Sequence, residues 1–100
     1  MASFDITATA PRRLEASGAM NLASAAQALR AGLGLIPRGQ SCTIDLSRVT
    51  EADSAGLAVL VEWLATARKR EAVIRYEGIP AQILAIARIS DLEDLLTSAH

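Results

Sequence analysis

Residues 43–70 read T-I-D-L-S-R-V-T-E-A-D-S-A-G-L-A-V-L-V-E-W-L-A-T-A-R-K-R, and the fold follows from how that run is divided. Ile44 and Leu46 alternate with Asp45 and Ser47, so the segment opens as a buried strand and passes into a short polar loop. Asp53 or Ser54 can cap the helix that follows. A side-chain oxygen at either position accepts an N–H group that the first helical turn leaves without a partner. Leu57, Leu60, Val61, Leu64 and Ala67 then recur at helical spacing. Arg68, Lys69 and Arg70 stand at the negative end of the helix dipole, where cations are favoured.

Upstream, Phe4, Ile6 and Ala8 alternate with Asp5, Thr7 and Thr9, the period of a half-buried strand. Pro11 ends that strand or marks an edge position. Residues 13–17 alternate again, with Leu14 and Ala16 on one face, and Gly18 breaks the run. Asn21 can cap a helix over 22–31. Its buried face is expected to carry Leu22, Ala25, Ala26 and Leu29, and Gly32 and Gly34 end it. Pro37-Arg38-Gly39 is a surface loop, and the central strand begins at Cys42.

Downstream, 72–76 forms a short strand in which Val73, Ile74 and Tyr76 read as largely buried. Gly78 and Pro80 make a turn, and Pro80 suits the start of a helix over 80–88 that buries Ile83, Ile86 and Ala87. Ser90-Asp91-Leu92-Glu93 has the form of a capping box, so a last short helix is expected to pack Leu92, Leu95 and Leu96. Residues 97–100 are a frayed tail.

Strands separated by helices imply parallel neighbours joined by right-handed crossovers, here with an antiparallel ribbon at the start. The expected architecture is an α/β domain over residues 1–100. Its mixed sheet of about four strands carries its helices mainly on one face. Asp5, Thr7, Arg13 and Glu15 then line the open face.

Composition removes several function classes. Hydrophobic residues make up 51% of the chain, but Phe, Trp and Tyr occur once each, so the core is aliphatic. A net charge of −1 argues against nucleic acid as a partner, since phosphate binding needs clustered positive charge. The lone Cys42 excludes an internal disulfide, fits a reducing compartment and reads as a small buried hydrophobe. No cationic segment leads into an apolar run at the amino terminus. No stretch reaches the roughly 20 apolar residues that span a bilayer. A cytoplasmic location follows as the expectation.

Catalytic chemistry is poorly supplied. His100, the single histidine, is the last residue, so no Ser-His-Asp or Cys-His site can be assembled from the ordered part. No Cys/His cluster has zinc spacing, and Gly32-Leu33-Gly34 lacks the rest of a dinucleotide loop. Neither a metal nor a cofactor is expected. What remains is Ser54 at the amino end of the long helix, where partial positive charge and open N–H donors favour an anion or a phosphoryl group. Against that stands the plainer role of Asp53 and Ser54 as caps.

The outward face of the helix adds to the case. With Leu57, Leu60, Val61 and Leu64 on the sheet, Ala55, Ala58, Glu62 and Thr66 point away from it, with Val59 and Trp63 on the flank. Gly56 permits close approach of another backbone. A solvated helix would carry more charge there. Asp53, Ser54, Ala55, Gly56, Ala58, Val59, Glu62 and Trp63 therefore form the expected partner surface, unless another part of the chain, such as the carboxyl-terminal helix, covers it.

Asp45-Leu46-Ser47, Val49 and Asp53-Ser54-Ala55-Gly56-Leu57 resemble the signature of the STAS domain, found in sulfate-transporter tails and anti-sigma-factor antagonists. Trp63-Leu64-Ala65-Thr66-Ala67-Arg68-Lys69, Gly78-Ile79-Pro80-Ala81-Gln82-Ile83 and Leu84-Ala85-Ile86-Ala87-Arg88-Ile89 are similar to its MlaB branch, the small cytoplasmic subunit of the Mla phospholipid ABC transporter. The resemblance covers residues 42–96, and the first 40 agree in pattern only. It implies a non-catalytic module that binds and supports the transporter's ATPase subunit. Such a module would meet the membrane only through that complex, in a system that maintains outer-membrane lipid asymmetry. It also implies an alternative, an anti-sigma-factor antagonist whose kinase partner phosphorylates Ser54. The second serine that antagonists often carry after the Asp-Ser pair is here Ala55.

Overall fold

A computed structural model describes residues 3–98. The element order is β1 (Asp5–Ala10), β2 (Arg13–Met20), α1 (Ala25–Leu33), β3 (Ser41–Ala52), α2 (Ser54–Lys69), β4 (Val73–Glu77), α3 (Ala81–Ile89) and α4 (Glu93–Thr97). The strands form one mixed sheet in the order β1-β2-β3-β4. β1 runs antiparallel to β2, while β2–β3 and β3–β4 are parallel, as the expected crossovers require.

One face of the sheet is apolar and covered by helices. Leu14 and Ala16 of β2, Cys42, Ile44 and Leu46 of β3, and Ile74 and Tyr76 of β4 are all buried on it. The opposite face carries Arg13, Glu15, Asp45 and Glu77. There Arg13 reaches both Glu77 (3.0 Å) and Asp45 (3.5 Å), and Arg48 meets Glu15 at 3.5 Å. Exposed pairs of this kind contribute little stability each. They do keep three strands' worth of charge compensated on the open side.

Three boundaries differ from the sequence reading. Residues 47–52 are not a loop: β3 runs on for 12 residues, its far half paired with β2 from Ser17↔Arg48 to Met20↔Ala52. Gly18 does not end β2 but sits in it at φ +87°, where the register shifts, and a Cβ there would overlap the backbone of Ser3. Glycine lets the strand bulge and continue. Helix α1 begins at Ala25 rather than Leu22, because Asn21 and Ser24 close a hydrogen-bonded turn before it. Its buried face is centred on Ala28 and Gly32, leaving Ala26 and Leu22 exposed.

Smaller corrections concern the carboxyl half. Val73 is exposed, since in β4 only Ile74 and Tyr76 point to the core, and Ile86 is half-buried. The expected capping box does not form. Ser90 ends α3, Asp91 takes φ +59°, and Leu92 precedes α4 without a side-chain cap. Thr97 still belongs to α4 and Ser98 caps it; residues 99 and 100 of the expected tail lie outside the described residues.

The core holds Trp63 at its centre, fully buried, with the Phe4 ring 6.3 Å away at a 48° tilt. Trp63 donates through Nε1 to the Leu29 carbonyl at 3.4 Å, and Tyr76 donates to the Leu60 carbonyl at 2.6 Å. Both buried polar atoms are therefore satisfied. Arg70, just past α2, donates to the carbonyls of Leu33 (2.7 Å) and Ile36 (2.9 Å) and so closes the open end of α1.

Candidate functional site

The far end of β3 delivers the chain directly into α2 with a single intervening residue, Asp53. Of the two candidate caps, Asp53 takes the role. Its Oδ1 accepts from the amides of Ala55 (2.9 Å) and Gly56 (3.3 Å), while its main-chain N–H donates to the Met20 carbonyl at 3.4 Å. The Leu57 amide is bonded to the Asp53 carbonyl. Three amides of the first turn, on Ala55, Gly56 and Leu57, are thus taken up within the chain, and a carboxylate already occupies the positive end of the dipole. An anion gains little from this terminus. Ser54 is exposed as the first helical residue.

The outward strip of α2 is narrower than its sequence suggested. Ser54, Ala58, Glu62 and Ala65 are exposed and Ala55 is half-buried. Gly56, Val59 and Trp63, expected to face a partner, are buried instead. Helix α1 packs across that flank, so Val59 and Trp63 lie beneath it and not at the surface. Gly56 does permit a close approach, but to the Met20 carbonyl of β2 within this chain. The covering element is α1, not the carboxyl-terminal helix considered from the sequence.

The turn from β2 into α1 joins this surface. The second oxygen of Asp53, Oδ2, accepts from the Leu22 amide at 3.2 Å. Ser24 donates through Oγ to the Ala19 carbonyl (2.7 Å) and receives the Asn21 amide (3.0 Å), while the Ser24 amide returns to Asn21 Oδ1 (3.2 Å). Asn21 Nδ2 reaches Glu51 on β3 at 3.3 Å. Sequence reasoning missed this turn, because Leu22, Ala25 and Leu29 mimic the spacing of a helix face.

Three groups on the sheet have displaced ionisation. Hydrogen bonding from Ser47, first its amide (2.9 Å) and then its hydroxyl, with Arg13 and Arg48 adding attraction, holds Asp45 below the usual aspartate value. Burial pushes the Tyr76 phenol well above its usual value, with Cys42 contributing, and raises the Cys42 thiol itself. All three lie in the half of the sheet where β3 pairs with β4, away from Ser54. Among the described residues no set of three or more His, Cys, Asp or Glu side chains could hold a metal ion; His100 lies outside them. No helix among them is long and apolar enough to cross a membrane. An apolar groove of about 500 Å³, lined by Val61, Ala65, Arg68, Val73 and Leu95 among others, opens at the opposite end of α2.

Residues 4–97, which span every element from β1 to α4, match a family model described as "Mlab, STAS domain". The chain belongs to that STAS domain family. Its fold is shared with a sulfate transporter family protein from Wolinella succinogenes, whose crystal structure aligns with a TM-score of 0.64. That alignment covers 85% of this chain and 70% of the other at 19% identity, a likeness of fold alone. No curated protein matches the chain. Within the STAS domain the described site is the β3–α2 junction: capped by Asp53, edged by Ser54, and flanked by the turn bearing Leu22.

Proposed function

We propose that this STAS domain is the binding subunit of an Mla-type phospholipid ABC transporter, docking on its ATPase subunit through the outward strip of α2. The observation that carries the reading is the run Ser54, Ala58, Glu62 and Ala65, exposed along the first three turns and bearing one charge. Ala55 lies half-buried beside it. Small side chains there let a partner backbone approach, and the match to the Mlab STAS model supports this branch of the family. In this role the chain is not an enzyme: it supplies a surface, is bound by a cytoplasmic ATPase, and meets the membrane only through the assembled transporter. Contacts are expected from Asp53, Ser54, Ala55, Ala58 and Glu62. Co-purification with the transporter's ATPase subunit tests the reading. Ala58→Glu, which adds bulk and charge at an exposed position without touching the core, should abolish the complex. A complex that survives this substitution rejects the strip as the contact, and a wild-type chain that forms no complex rejects the reading.

The exposed Ser54 hydroxyl favours a second reading, an anti-sigma-factor antagonist switched by a kinase at that serine. Incubation with the kinase and ATP should place phosphate on Ser54 alone. Unmodified protein, or phosphate elsewhere, removes this alternative.

A further inference from the structure

We propose that Leu22 is the apolar anchor of the docking surface, entering an apolar pocket with a basic rim on the partner protein. The inference rests on the transporter-subunit reading and extends it to a residue outside α2. Leu22 is 80% exposed, and single exposed leucines are ordinary on protein surfaces. Its mounting sets it apart. Ile89 is 88% exposed, but at the last residue of α3 beside a helix end. Leu22 projects from a turn fixed by Ser24 to Ala19, by Asn21 to Glu51, and by its own amide to Asp53. A side chain presented on a pre-ordered backbone loses less entropy on binding than one on a mobile loop, which is the condition that favours an anchor.

Asp53 links the two parts of the surface. One carboxylate oxygen sets the first turn of α2 and the other sets Leu22, so the leucine is held in fixed relation to Ser54. The surface is a protrusion beside a flat strip of small residues, and its complement is a pocketed protein. The exposed acids Glu51 and Glu62 flank it, so an anionic lipid surface would be repelled and basic residues at the partner's rim attracted.

The test is calorimetric titration of the full chain with the Mla-type ATPase subunit from the same cell, comparing wild type, Leu22→Ala, Leu22→Met and Ala58→Glu. Leu22→Ala should weaken binding about tenfold or more. It should leave the melting temperature unchanged, because the side chain buries little in the free protein. Leu22→Met should bind nearly as wild type. Loss with Leu22→Ala but not with Ala58→Glu supports the anchor and rejects the helix strip. Wild-type affinity of Leu22→Ala, alongside loss in Ala58→Glu, overturns the anchor alone. A wild-type chain that does not bind overturns the functional reading and the anchor with it.

Discussion

The indole of Trp63 fills the space that a side chain at Gly32 would need. A Cβ on Gly32 would overlap the ring at Cε2, Nε1 and Cζ2, and the ring is fully buried with nowhere to retreat. Helix α1 can lie this close to α2 because its contact residue is glycine. Gly32→Ala gains about 1 kcal/mol of helix propensity, whereas forcing a methyl into a packed core costs about 1–3 kcal/mol. With a rigid ring as the obstacle, the cost wins. The variant should be less stable by up to about 2 kcal/mol, read by denaturant unfolding through the fluorescence of the single tryptophan. Equal or greater stability would mean that α1 stands away from Trp63.

Asp53→Ala should loosen two separated segments at once. Loss of the cap costs about 1 kcal/mol of stability. Because the same carboxylate holds Leu22, amide exchange should quicken at Ala55, Gly56 and Leu22 together. Faster exchange at the helix start with Leu22 unchanged would separate the turn from the cap.

Trp63 and Leu22 also show where the sequence was legible and where it was not. Alternation revealed Ile44 and Leu46 as strand core, and helical spacing revealed Leu57, Leu60 and Leu64, because each pattern answers to a single covering surface. Helix α2 packs against α1 and α3 as well as the sheet, and under α1 its buried arc widens to take in Val59 and Trp63 beyond the stripe that periodicity marks. The far half of β3 carries no alternation, since Ser47, Arg48, Thr50 and Glu51 are all exposed and pairing with β2 alone makes it a strand. Asp53 and Ser54 were readable as a helix start, and the choice between them turned on the backbone, which is extended at Asp53 and helical from Ser54. The turn holding Leu22 closes locally through Asn21 and Ser24, but its bond to Asp53 crosses 31 positions of chain, to which no local pattern responds.

The protein should lose stability in alkali through Tyr76. Its phenol is raised in the folded state by burial, with a lesser contribution from Cys42. A raised folded value means the contribution is complete below the ordinary tyrosine value of about 10, and is lost as pH rises above it. As Tyr76 is the only tyrosine, ultraviolet absorbance of tyrosinate reports it without ambiguity. The titration should be delayed past the ordinary value and coincide with unfolding. Ionisation near the ordinary value in the folded protein would contradict the buried bond to Leu60.

Asp45 acts at the other end of the pH scale. Its folded value is depressed, chiefly by the Ser47 amide, so its contribution is present above the ordinary aspartate value of about 3.9 and declines as pH falls through that region and below. The carboxyl carbon, followed by NMR, should titrate below the ordinary value. Asp45→Asn should flatten the acid limb of the stability profile. A midpoint at or above the ordinary value would mean that the Ser47 bonds do not persist in solution.

The centre of the sheet carries a consequence for how the chain comes together. Leu14 pairs with Ile44, and Ile44 with Tyr76, so each parallel contact joins residues about thirty positions apart. Only the β1–β2 ribbon, closing through Pro11 and Arg12, is a near-neighbour contact among the strands. Long loops must close before their pairing is rewarded, and topologies dominated by such contacts fold slowly for their size. During synthesis the ribbon can form early, but its inner edge stays open until β3 has emerged. β3 in turn keeps an unpaired edge until residue 77 is made. Even then only Ser41–Asp45 gains a neighbour on that side, and the half of β3 that leads to the docking surface keeps β2 as its one partner strand.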